Sequence, residues 1–261
     1  MEMEIDIPEI KDSELFGAAE SGNSELFRSL SAEQLAKARS LRNEDERTLL
    51  HVAASSGHVE ASLSLSISTL PFSWIWRSYV CVVRLLSENA NPEVSGVNST
   101  DEEGWAPIHS AASSGHTEVA EILLNKGANV NLANGGGRTA LHYAASKGWL
   151  KMAEILISHG AKLNKKDKVG CTPLHRAAST GSRELCEFLI EEGADIDPVD
   201  KSGQTPLMHA VICENKEVAF LLIRHGADVD MEDKEGYTVL GRASNDFRPA
   251  LVEIAKAMQE D

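Results

Sequence analysis

Apolar residues run along most of this chain in short stripes at helical spacing, and the stripes come in pairs. In PIHSAASSGHTEVAEILLNKGA a small, alanine-rich stripe is followed by a larger aliphatic one, VAEILL. Each pair predicts a helical hairpin whose apolar faces are covered by the pairs on either side. Between pairs lie polar segments ending in glycine, which predict turns.

The pairs recur at a fixed interval. APIH from Ala106, TALH from Thr139, TPLH from Thr172, TPLM from Thr205 and TVLG from Thr238 start 33 residues apart. Threonine at the head of the frame suits a helix cap, and proline after it occupies a first turn where a missing N–H costs nothing. The pairs Ala111-Ala112 and Ala144-Ala145 are small enough for adjacent first helices to approach closely. Gly115, Gly148 and Gly181 end those helices where a left-handed residue is wanted, and Gly127 closes the second helix. Turns such as Asp200-Lys201-Ser202-Gly203 project as fingers. Two further copies complete the series upstream: RTLLHVAASSGHVE, with Thr48 in the frame, and SELFGAAESG at 13–22, a degenerate N-terminal cap. The last copy, from Gly236, loses the histidine and glycine and ends in LVEIAKAMQED, as a terminal cap with a polar outer face does. The 33-residue frame resembles the ankyrin repeat signature. That resemblance implies an all-α fold, an ankyrin repeat solenoid of about seven repeats with short finger hairpins. The expected organisation is an acidic N-terminal tail at 1–12 and a single repeat domain at 13–261.

The second repeat is interrupted at 61–81 by an apolar segment outside the frame. Removing it joins HVAASSGHVE to VVRLLSE in register with HSAASSGHTEVAEILLN of the next repeat. Its uncharged core, Ala61 to Trp76, is shorter than the roughly 20 residues a membrane span needs, and contains Pro71 and repeated serines. The segment therefore reads as foreign to the domain, such as a translated retained intron. A protein-interaction loop carrying exposed aromatics is the other reading.

Composition narrows the function. The formal net charge of -15 opposes nucleic acid as a partner, because phosphate binding needs a basic surface. Cys81, Cys171, Cys186 and Cys213 form no CxxC pair and no metal-ligand spacing, and read as reduced intracellular thiols. The acidic N-terminus has no apolar signal core. His51, His109, His142 and His175 share one place in the frame; the ankyrin resemblance implies hydrogen bonding between neighbouring fingers there, and four equivalent copies fit that role better than catalysis. Gly135-Gly136-Gly137 falls at a finger turn rather than in a phosphate-binding loop. With no protease, lipase or nucleotide-binding motif present, the expectation is a non-enzymatic protein with no cofactor and no metal.

What remains is a binding surface of fingers and first helices. The position after each finger turn holds Arg47, Trp105, Arg138, Cys171, Gln204 and Tyr237. The position after each LH holds Val52, Ser110, Tyr143, Arg176, His209 and Arg242. Trp, Tyr and Arg are the types that anchor interfaces, and Trp105 is the best single candidate. Acidic residues crowd the fingers at Asp45, Asp101, Glu102, Glu103, Asp200 and Asp233. Beside those anchors they suit a basic helical partner.

The segments DEEGWAPIHSAASSGHTE, GRTALHYAASK and CTPLHRAAS, with seven repeats and short caps, resemble the gankyrin family, the non-ATPase regulatory subunit 10 proteins of the 26S proteasome. The resemblance covers nearly the whole chain except 61–81. It implies a proteasome assembly chaperone of the cytoplasm and nucleus, a monomer that holds the C-terminal domain of one proteasomal ATPase subunit. By position it places partner contacts on Asp45 and Arg47 of the second finger and Asp101, Glu102 and Trp105 of the third. Arg138, Tyr143 and Arg176 join them as anchor types at the recurring positions. The family's LxCxE pocket-protein motif is missing: ELCEF at 184–188 and VICEN at 211–215 do not fit it. Two other classes share the repeat fold: an ankyrin adaptor recruiting a kinase, transcription factor or ubiquitin-system protein, and a membrane-attached protein using 61–81 as its anchor.

Overall fold

The computed structural model describes residues 10–56, 80–88 and 96–257, and apart from one isolated antiparallel bridge, Arg42 to Thr48, their regular structure is helical. Two compact units divide the chain, residues 1–128 and 129–261. Among the described residues no helix is long and apolar enough to cross a membrane.

The first unit contains α1 (Asp12–Ser21), α2 (Ser24–Ser29), α3 (Ala32–Ser40), α4 (Leu49–Ser55), helical residues 80–86, α5 (Pro107–Ser114) and α6 (Thr117–Asn125). Its inner helices stack with α4 against both α1 and α5. Small side chains make that possible: Ala18, Ala19, Ala53, Ala54, Ala111 and Ala112 are no more than 3% exposed. In the outer layer Val82, Val83 and Leu86 are buried, as Val119, Ala120 and Leu123 are in α6. These residues therefore occupy the register that the 33-residue frame assigns them. Arg39 donates to the carbonyls of Leu86 at 2.9 Å and Leu85 at 3.0 Å, satisfying orphan acceptors at that helix end. Of the apolar segment 61–81, residues up to 79 lie outside the described residues. Val80 and Cys81 belong to the helix that continues to 86, with Val80 buried.

The second unit contains α7 (Ala140–Lys147), α8 (Leu150–Ser158), α9 (Pro173–Thr180), α10 (Arg183–Glu191), α11 (Pro206–Ile212), α12 (Lys216–Arg224), α13 (Val239–Arg242) and α14 (Arg248–Ala257). Inner helices α7, α9, α11 and α13 stack in chain order, and outer helices α8, α10, α12 and α14 stack alongside. None of these helices exceeds ten residues, too short to persist alone in water. Nearest-neighbour stacking carries the fold.

The repeated histidines explain how each hairpin is fixed to the next. His142 Nδ1 accepts the Thr139 amide at 3.1 Å, while its Nε2 donates to the Cys171 carbonyl of the following finger at 3.1 Å. His175 does the same between Thr172 and Gln204, and His51 between Thr48 and Trp105. An accepting Nδ1 and a donating Nε2 require the neutral ring, and burial pushes all three rings down to about 4. The threonine hydroxyl meets the ring rather than the backbone in these repeats. Where Met208 replaces histidine, the Thr205 hydroxyl turns to cap the Met208 amide at 3.2 Å.

The fingers pair through backbone: Lys201 donates to the Val169 carbonyl at 2.9 Å, and Lys234 to Ser202 at 3.0 Å. A Cβ on Gly170, at φ 88°, would lie 2.7 Å from the Lys201 nitrogen, so both conformation and clearance demand glycine there. The second finger departs from this rule, with Glu46 at φ 59°.

Candidate protein-binding site

Each finger is built on a carboxylate or amide whose Oδ1 accepts the backbone amides two and four residues on. Asp101 holds Glu103 at 3.1 Å and Trp105 at 2.7 Å. Asp167 holds Val169 and Cys171, each at 3.0 Å. In the second unit the second side-chain atom meets the residue nine positions later, near the start of the inner helix. What stands there decides the character of the surface.

In the second unit that residue is long and polar. Asn134 donates to the Tyr143 hydroxyl at 2.7 Å. Asp167 is clamped by Arg176, with Arg138 adding an ion pair at 3.5 Å. Asp233 takes Arg242 at 2.6 Å, and Asp200 faces His209 at 3.1 Å. Burial works against the Asp167 charge, but the hydrogen bond and charge of Arg176 outweigh it and hold its carboxyl below the usual range. Arg176 is thus committed to its own finger, with its side chain only 22% exposed. Arg138, at 42%, and Tyr143 keep open edges.

In the first unit the corresponding residues are Val52 and Ser110, too small to fill the space or reach the finger. A groove of about 480 Å³ results, lined by Asp45, Asp101, Glu102 and Glu103 on the fingers and Ser55, Ser110, Ser113 and Ser114 on the inner helices. Arg47 and Trp105 complete the wall. Arg47 reaches the Ser55 hydroxyl at 2.9 Å and the His51 carbonyl at 3.3 Å. Trp105 is half-buried, its ring edge-on to His109 with centroids 6.2 Å apart. No basic side chain among the described residues forms an ion pair with Asp45, Glu102 or Glu103. Four carboxylates and one guanidinium give the groove a surplus of three negative charges.

Five of the eight sequence candidates, Asp45, Arg47, Asp101, Glu102 and Trp105, therefore line one groove. Arg138, Tyr143 and Arg176 lie in the second unit. Sequence reasoning placed Glu103 and Ser110 on the binding surface without naming them as contacts, and it passed over Ser55, Ser113 and Ser114 as members of that groove. The signal for it was available in the nine-residue spacing from finger acid to helix, which leaves Asp101 opposite a serine. It also passed over a second grouping: the ligand atoms of Cys171, Asp200 and His209 lie within 4.8 Å of one another. The cysteine follows one finger turn and the other two belong to the next repeat, so no local spacing announces them.

Comparison with known proteins agrees with this architecture. The family model described as ankyrin repeats (three copies) matches residues 15–134, 74–167, 131–200 and 174–257. A curated relative, the 26S proteasome non-ATPase regulatory subunit 10 of Dictyostelium discoideum, is 34% identical over 88 residues. That alignment takes in 34% of this chain and 28% of that protein, so the chain spans less than a third of the relative's length.

Proposed function

The chain belongs to the ankyrin repeat family, and from that premise we propose that it is a non-enzymatic protein-binding module that chaperones assembly of the proteasome regulatory particle. Its partner is the C-terminal domain of a proteasomal ATPase subunit, presented through a basic surface, and its setting is the cytoplasm and nucleus. The similarity to a proteasome regulatory subunit supports the choice of partner class. The single observation that carries the reading is the acidic groove of the first unit, where Asp45, Glu102 and Glu103 form no ion pair among the described residues and stand beside the half-buried Trp105.

Physically, uncompensated carboxylates raise the local concentration of basic residues and fix their register, whereas an aromatic anchor supplies most of the affinity. The serine floor lets a lysine or arginine side chain enter deeply and end among hydroxyls and carboxylates. Arg47 answers a carboxylate on the same partner helix. Arg138, Tyr143 and the open part of Arg176 extend the proposed contact set in the second unit. Occupying the ATPase domain delays its docking on the core particle until assembly is ready.

Co-purification with proteasomal ATPase subunits tests the proposal directly. One such subunit is expected to be retained by the unmodified chain and lost, or weakened at least about tenfold, with Trp105→Ala. If no ATPase subunit is retained, or Trp105→Ala holds it equally well, the proposal fails.

A further inference from the structure

The clamps of the second unit are not chemically uniform. Asp167 and Asp233 are held by arginines, whose charge is permanent. Asp200, in the repeat between them, meets His209, whose charge is conditional. Its Oδ1 is occupied by the amides of Ser202 at 2.8 Å and Gln204 at 2.9 Å, leaving Oδ2 for the ring. Ser179 Oγ lies 2.9 Å from the His175 carbonyl and 3.0 Å from His209 Nδ1, which fixes the orientation of the ring. His209 Nε2 then faces Asp200 Oδ2 across 3.1 Å. The sulfur of Cys171 is the third possible donor, within 4.8 Å of a ligand atom of each.

We propose that Cys171, Asp200 and His209 bind one zinc-class divalent transition-metal ion. A thiolate, an imidazole nitrogen and a carboxylate oxygen are the donors such an ion takes, and solvent fills the fourth position, reached past the 18% exposed His209 side chain. Metal–ligand bonds of about 2.0–2.3 Å place tetrahedral ligands roughly 3.5 Å apart, so His209 Nε2 and Asp200 Oδ2, at 3.1 Å, open slightly while the Cys171 sulfur closes on them by up to about 1 Å. Ser179 is a positioning residue, holding the ring so that Nε2 faces the metal. On binding, the Cys171 S–H bond breaks, a sulfur–metal bond forms and the proton leaves to solvent, with no change of oxidation state. Metal and proton compete for the sulfur. The charges that face the cysteine are Arg176 and Arg138, offset by Asp167, and the ring of His175 stands edge-on to His209 at 5.0 Å.

Titration of the full chain with Co²⁺ at neutral and mildly alkaline pH tests the site. The expected result is one equivalent giving a near-ultraviolet thiolate-to-cobalt band with tetrahedral visible bands, displaced by Zn²⁺. Cys171→Ser and His209→Arg abolish the thiolate band, the latter substituting the residue type of the flanking repeats and preserving the fold by circular dichroism. Ser179→Ala keeps the spectrum and weakens binding about 10- to 100-fold, whereas Cys213→Ser changes nothing. A chain with no thiolate band overturns the proposal, as does a band that survives Cys171→Ser or His209→Arg.

Discussion

Asp101 and Asp167 occupy equivalent places in two fingers, and each uses one oxygen to organise the turn that follows it. The other oxygen of Asp167 is captured by Arg176 and Arg138, whereas the residue opposite Asp101 is Ser110. One helix position thus converts the same finger from an internally neutralised strut into the wall of a charged groove. The second unit uses its carboxylates for its own cohesion, and the first leaves them facing outward. Self-satisfied polar groups stabilise, and unsatisfied ones at a surface are available to a partner.

Acid should have the largest effect, and it tests what the two regions share. His51 in the first unit, and His142 and His175 in the second, are held neutral with values near 4. A ring protonated more readily when unfolded lends stability that is complete above about 6.5. That stability is lost as pH falls from there toward 4, at roughly 3 kcal/mol per ring. The first unit also carries the buried His109, whose Nδ1 accepts the Ala106 amide. Hydrogen exchange followed from pH 7 to 4 is therefore expected to show protection falling in both units, at the fingers these rings tie down. No loss in either would contradict the neutral-ring assignment.

Next in size is removal of the finger carboxylates themselves. Asp167→Ala deletes a turn cap and strands two arginines, and is expected to cost about 3 kcal/mol in urea unfolding. Asp101→Ala deletes only the cap, and about 1 kcal/mol is expected. The order should invert for binding, with Asp101→Ala impairing partner retention and Asp167→Ala leaving it nearly intact at temperatures where the variant is folded.

Smaller still is the electrostatic share of recognition. Asp45→Lys combined with Glu102→Lys is expected to weaken the ATPase-subunit complex about tenfold, and raising salt should weaken the unmodified complex while hardly affecting the double variant. A complex insensitive to both would mean that the groove charges are only a solvated surface. The smallest effect concerns Glu46, whose positive φ is a place for glycine. Glu46→Gly should stabilise the first unit by about 0.5–1 kcal/mol in thermal unfolding without altering binding.

Much of this was legible along the chain. The helices lie where the 33-residue frame puts them, because the alanine pairs, the left-handed glycines at Gly115, Gly148 and Gly181, and the apolar stripes are local signals that each hairpin repeats. That His51, His142 and His175 share one role was legible from their equivalent positions, and the ankyrin resemblance supplied the bond that the structure shows. The site was legible in part. Trp105 and the finger acids stand out by type, but residue type alone gave Arg176 the same standing as Arg47. Arg176 is spent on Asp167, and only the pairing across nine residues reveals that.

The sequence by itself determined the repeat, its helices and the residues on its fingers, because each depends on chemistry within a few turns of chain. Tertiary structure decided which charged groups are left over. Whether a carboxylate is neutralised depends on what the next turn of a packed helix places within about 3 Å, and that distance exists only after the hairpins have stacked. The same stacking brings Cys171 from one finger to Asp200 and His209 of the next repeat, a meeting that no linear spacing encodes.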